Sequence, residues 1–135
     1  MLQSQSTLGL TINLKTDMES ASKQVVEALK SQGFGVLTEI NIQETFKKKL
    51  DVDFHPYKIL GACNPVLAHR ALTVAPEVGL LLPCNVTIVQ RDEDQVQISA
   101  VDPMIMMSVV PNDALKSIAQ EARDRLQSAL QTLEE

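Results

Sequence analysis

Aromatic side chains are scarce in this 135-residue chain: it has no Trp, one Tyr and three Phe. Proteins that bind single strands stack successive bases on several such rings, so that mode of nucleic-acid recognition lacks its platform. Positive charge is also in deficit. Seventeen Asp and Glu against twelve Lys and Arg leave a formal charge of -5, the wrong sign to gather a phosphate backbone. Nucleic acid is therefore not an expected partner.

Cysteine is nearly absent as well. Cys63 and Cys84 are too few for a disulfide framework and read as free thiols in a reducing cytoplasm. Residues Met1 to Thr7 lack the basic and apolar blocks of a secretion signal. The most apolar run, Val78 to Val89, is broken by Pro83 and too short to cross a bilayer, so no membrane partner is expected. Common enzyme signatures are missing: no phosphate-cradling glycine loop, no Cys-x-x-Cys, no nucleophile elbow and no metalloprotease helix. Any cofactor is left unknown by the sequence.

What is present suits one α+β domain spanning residues 1–135 without a linker. A chain of this length buries roughly two thirds of its extended surface on folding. With so few rings, Leu, Val, Ile, Ala and Met must fill the core. Leu8, Leu10, Ile12 and Leu14 alternate with Gly9, Thr11 and Asn13, the period of a half-buried strand. Thr16 and Glu19 have capping-box spacing, and Met18, Ala21, Val25 and Leu29 follow at helical intervals up to a stop at Gly33. A second strand over residues 34–42 leads into a short helix, Gln43 to Leu50, bearing Lys47, Lys48 and Lys49 as a solvated run. Tyr57 to Cys63 is a third strand, in which Tyr57, Ile59, Gly61 and Cys63 share a face. Asn64-Pro65 then opens a helix, Asn as cap and Pro in the first turn.

Beyond Pro76 and the apolar Val78–Leu82 link, Cys84 to Val89 and Val96 to Ala100 form a hairpin about the charged turn at Arg91–Asp94. Met104 to Val110 fits either a short helix or an irregular packed segment. Asn112 or Asp113 caps a last helix whose apolar face carries Leu115, Ile118, Ala119, Ala122, Leu126, Ala129, Leu130 and Leu133. The order is β-α-β-α-β-α-β-β-α. It predicts a mainly antiparallel sheet of about five strands with helices on one face.

The stretch Tyr57–Pro65 (YKILGACNP), His69–Leu72 and Gly79–Val86 (GLLLPCNV), with Gly33–Ile40 and Asp102-Pro103, resembles the bacterial and archaeal family catalogued as domain of unknown function 302. The resemblance covers nearly the whole chain. It implies an α+β domain that stands alone and forms homodimers, with no established biochemical activity. Some family members are linked to sulfur or thiol metabolism through fused or neighbouring proteins. The positions carrying the family pattern here are Tyr57, Cys63, Asn64, Pro65, His69, Pro83, Cys84 and Asn85.

Two Cys-Asn pairs make the candidate site. Cys63 precedes a helix start, where free amides and the helix dipole favour a thiolate; otherwise it is a small core residue in register with Tyr57 and Ile59. Cys84 reads as either a second thiol or a core residue beside Val86 and Ile88. Asn64 is accounted for as a cap, whereas Asn85 is unusual within a strand and holds a turn or edge, or points into a pocket. His69 would be a third metal ligand with Cys63 and Cys84, though their spacing matches no compact zinc signature and a helix-surface histidine is the plainer meaning. Tyr57 packs its ring, and its hydroxyl seeks a polar partner. His55 reads as a loop residue, and Met104, Met106 and Met107 as core filling first, or else as an adaptable binding surface or a dimer seam.

Three functions fit these residues. One is a small-ligand or partner binding module around Cys63, Asn64, Cys84 and Asn85. The second is a cysteine-dependent redox enzyme or sulfur carrier using Cys63. The third is a metal-binding protein with Cys63 and Cys84 as ligands.

Overall fold

The computed structural model describes residues 8–134. The leading stretch Met1 to Thr7, read above for a secretion signal, lies outside them. Five strands, β1 (Gly9–Leu14), β2 (Gly35–Asn41), β3 (Tyr57–Cys63), β4 (Cys84–Asp92) and β5 (Gln95–Val101), form one sheet in the order β1-β5-β4-β3-β2. Every neighbouring pair is antiparallel. No described helix is long and apolar enough to cross a membrane.

Helix α1 (Met18–Ser31) buries Ala21, Val25, Ala28 and Leu29 against the sheet. Its cap is Asp17, whose carboxylate accepts from the Ser20 amide at 2.7 Å. Thr16, expected to cap, stands one residue too early, and Asp17 is the better acceptor because its charge also complements the helix dipole. The helix ends as expected at Gly33, whose φ of 85° is the left-handed geometry glycine adopts most easily. The Phe34 amide donates back to the Leu29 carbonyl, closing the end.

Short helix α2 (Ile42–Leu50) buries none of its residues, and its lysines pair with nearby carboxylates. Helix α3 (Pro65–Val74) is followed by a 3-10 turn over Pro76–Leu81, where the sequence suggested only a link, and a cis Leu82-Pro83 bond leads into β4. The ambiguous methionine segment resolves into a 3-10 turn, Pro103–Ile105, and a single-turn helix α4 (Met106–Val109). Helix α5 (Asp113–Glu134) buries seven of the eight apolar positions read from its periodicity, with Leu133 partly buried. The Asn112 side chain accepts from the Ala114 and Leu115 amides at its start. Asp102 fixes the end of the sheet to this helix: it accepts from Arg123 at 3.1 Å and from the Met104 amide at 2.9 Å.

The buried side chains fall into two clusters. The larger lies between the sheet and helices α1 and α5, with Leu10, Ile12, Leu60, Ile98 and Leu126 almost wholly enclosed. Each such Leu or Ile contributes about 1.5–3 kcal/mol on burial. The smaller joins α3, the 3-10 turn after it, Met106 and the first half of α5 through Leu67, Val78, Leu115 and Ile118. Along β3 the enclosed residues are Leu60 and Ala62, so the face carrying Tyr57, Ile59 and Cys63 is the one turned from the main core. Cys63 itself, at the strand's end, is partly buried.

A candidate site at the Cys63–Cys84 corner

The two Cys-Asn pairs lie beside each other. In the β3–β4 ladder Ala62 stands opposite Cys84 and Gly61 opposite Asn85, so Cys63 follows the residue directly opposite Cys84. Gly61 permits this. A Cβ on it would collide with the Thr38 hydroxyl and come within 2.8 Å of the Pro83 ring, so only glycine lets the chain entering β4 cross here.

Both thiols are free and partly buried, and both border a small cavity of about 40 Å³ at the end of the sheet. The cavity occupies the seam between the two clusters: Phe34 and Ala62 come from the larger, Leu67, Ala71, Ile118 and Ala122 from the smaller. Ala68, Leu82 and Met106 complete its wall. Apart from Met106, none of these was picked out from sequence, because an apolar residue carries no mark of which neighbour is missing beside it. The volume suits a water or two, or a few heavy atoms of a ligand; a benzene-sized cavity is nearer 150 Å³.

Burial, reinforced by the neighbouring Cys63, pushes the Cys84 thiol up to about 11. It is a neutral S–H throughout the physiological range. Asn64 is also buried, at 8% exposure, and its amide is bonded through both its oxygen and its nitrogen. Its Oδ1 accepts from the Leu67 amide at 3.2 Å, and its Nδ2 donates to the Gln32 carbonyl at 3.4 Å. Arg125 donates to that same carbonyl at 3.3 Å, and is held in turn by Glu121, which also pairs with Arg70. Hydrogen bonds from Arg70 and then Arg125 keep the Glu121 carboxyl below its ordinary range. Asn64 thus ties the start of α3 to the end of α1.

The other expected site residues lie elsewhere. Asn85 is exposed and borders a shallow trough on the far face of the sheet with Thr87 and Ser99. It does not line the cavity. His69 is exposed on α3 and does not line the cavity. No group of three His, Cys, Asp or Glu suited to a metal occurs among the described residues. Tyr57 sits at the opposite end of β3, beside Phe54 and His55, with Phe54 also packed on Phe46. His55, read as a plain loop residue, stacks on Phe54 with ring centroids 4.1 Å apart.

Comparison with known proteins adds a family and a fold. No curated protein matches the chain. A crystal structure of an uncharacterised conserved DUF302 protein from Bacillus stearothermophilus is similar, with 31% sequence identity and a TM-score of 0.85. The match covers 93% of this chain and 98% of that one. The family model described as Domain of unknown function DUF302 matches residues 10–133, nearly the full sheet-and-helix unit, and the chain belongs to that family.

Proposed function

We propose that the chain is a cytoplasmic small-ligand binding module whose site is the cavity at the Cys63–Cys84 corner. The observation that carries this reading is an apolar space, bordered by Cys63, Cys84 and Met106, at the seam where two separately packed clusters meet. The walls offer no charge, and the one buried amide among them is already bonded. The ligand class they suit is a short apolar or sulfur-bearing group, which gains dispersion contacts with polarisable sulfur and needs no hydrogen-bond partner. A role near thiol metabolism would supply such groups, and a reducing compartment would keep both cysteines free.

Titration of the reduced protein with ethanethiol and with ethanol, followed by amide NMR, tests this. Ethanethiol is expected to perturb Ala62, Leu67, Ala71 and Ala122 more than ethanol does. Ala71→Leu fills the space and should abolish the response while leaving the rest of the spectrum intact. Absence of any response at millimolar ligand, or a response unchanged in Ala71→Leu, would overturn the reading.

A cysteine-dependent reaction is the second reading, and the raised Cys84 thiol directs it to one residue. Only a thiolate attacks, so Cys63 would be the nucleophile and Cys84 its neutral neighbour.

A further inference from the structure

The sheet ends differently on its two sides. At one edge β1 buries Leu10, Thr11 and Ile12, whereas at the other β2 has no buried residue. Alternate residues of an edge strand turn their N–H and C=O groups outward, where they template a further strand. Outside its ladder with β3, the backbone of β2 is bonded only at Asn41, where α2 begins, among the described residues. β2 also lacks the lysine and proline that commonly blunt such an edge. Its one irregularity falls between Val36 and Thr38 and leaves Leu37 unpaired, and beyond it Thr38 to Asn41 run in regular register.

The two faces along this edge differ in chemistry. Ile40 is 46% exposed on the open face, and the unpaired Leu37 is 67% exposed. On the helix face Glu39 stands opposite Leu60, which is enclosed in the main core. There an open groove of about 760 Å³ lies between α1 and the margin of the sheet, with Met18 and Val26 as its apolar wall. Its charged groups are Glu19, Glu27 and Glu39 against Lys23 and Lys58. Lys23 pairs with Glu19 and Lys58 with Glu39. That leaves Glu27 over, exposed and without an ion-pair partner among the described residues.

We infer that the free edge of β2 takes an extended segment of a different protein, one that alternates apolar and basic residues. The segment pairs along Thr38 to Asn41 as a further strand, with main-chain hydrogen bonds supplying the affinity. Its apolar side chains continue the face that carries Ile40. Its basic ones turn over the groove, laying their stems on Met18 and Val26 and bringing their charge toward Glu27. The chain's formal charge of -5 draws such a segment in. A second copy is the poorer fit, because pairing β2 with itself brings Glu39 and Glu27 toward another acidic groove. The inference uses no residue of the Cys63–Cys84 cavity and stands or falls apart from it.

The probe is a short end-capped peptide alternating valine and lysine, mixed with the whole chain and followed by fluorescence anisotropy and amide hydrogen exchange. Saturable binding is expected below about 1 mM, with exchange slowed in β2 and unchanged in β1. Glutamate in place of lysine should weaken it about tenfold or more. So should gathering the valines and lysines into two blocks, which keeps the charge and removes the alternation. Glu27→Lys, at an exposed position of α1, should weaken the lysine peptide about fivefold and strengthen the glutamate one. No saturation by about 1 mM, equal binding of the segregated peptide, indifference to Glu27→Lys, or exchange slowed anywhere but β2 would overturn the inference. Protection of β2 that rises with protein concentration in the absence of peptide would do so too, since a second copy would then hold the edge.

Discussion

At Cys63–Asn64 the chain leaves the sheet to begin a helix, and at Cys84–Asn85 it enters the sheet after a cis proline. The same two residues then meet different physics. In the first pair the cysteine is the last residue of a strand and the asparagine is buried, its amide bonded on both sides. In the second the cysteine points toward the packed seam and stays protonated, while the asparagine faces outward and is exposed. What the backbone needs at each point, a helix cap in one case and strand alternation in the other, decides which member of each pair is enclosed. A repeated dipeptide is not a repeated site.

Thiol labelling gives the widest separation between the two corners. A thiol with pKa about 11 carries on the order of a hundredth of the thiolate of an ordinary cysteine near neutral pH. Under iodoacetamide near pH 7.5, Cys84 should therefore react at least a hundredfold more slowly than free cysteine, and well behind Cys63. Mass mapping of the alkylated peptides checks this; equal rates at both sites would mean the seam is open to water. The same group makes an equilibrium prediction. Its folded pKa is raised, so it contributes stability that is fully present below the unfolded thiol's value, about 8.5, and is lost as pH rises through about 11. The stability difference between wild type and Cys84→Ala should accordingly shrink over that alkaline window and stay flat below it.

Next in size is the contrast between the two asparagines. Asn64→Ala removes a helix cap whose oxygen is the acceptor of the buried Leu67 amide, so a loss of about 1–2 kcal/mol is expected. Asn85→Ala changes an exposed strand position and should move stability by no more than about 0.5 kcal/mol. Urea unfolding of the two variants checks the pair. Similar losses from both would mean that Asn85 has a structural partner after all. Ala68→Ser would then refine the picture: a hydroxyl added to the cavity wall should cost little if water enters there and about 1–3 kcal/mol if the space is dry.

Much of the fold was legible because its signals are local. Period-two runs marked β1, β3, β4 and β5, Gly33 marked a left-handed helix end, and Asn64-Pro65 marked a helix start. The apolar positions of α5 were all readable from one helical period. The site was legible only in part. That Cys63 and Cys84 approach each other depends on the β3–β4 register across a connection containing α3 and a 3-10 turn, and no local pattern encodes a register of that kind. Asn85, His69 and Tyr57 were grouped with the cysteines through the family pattern. Strand parity, helix face and the length of β3 then separate them in space. The cavity escaped notice because it is defined by small side chains, Ala62, Ala68, Ala71 and Ala122, on three different elements.

The smallest expected effect concerns what reinforces the Asn64 corner from behind. The Gln32 carbonyl receives both Asn64 and Arg125, and Arg125 is oriented by Glu121, itself shared with Arg70. These groups are partly exposed, so their contribution is screened and modest. Its sign is nevertheless fixed. Arg70 and Arg125 lower the folded pKa of Glu121, so the stabilisation is present above the unfolded carboxyl's range, near 4.3, and disappears as pH falls through the lowered folded value. Glu121→Gln should therefore be slightly less stable than wild type at pH 7, with the gap closing as the solution is acidified below about pH 4. Denaturant midpoints at the two pH values measure it. A gap that persists in acid would assign the loss to packing along α5 rather than to the charge, leaving Asn64 alone as the tie between α3 and the end of α1.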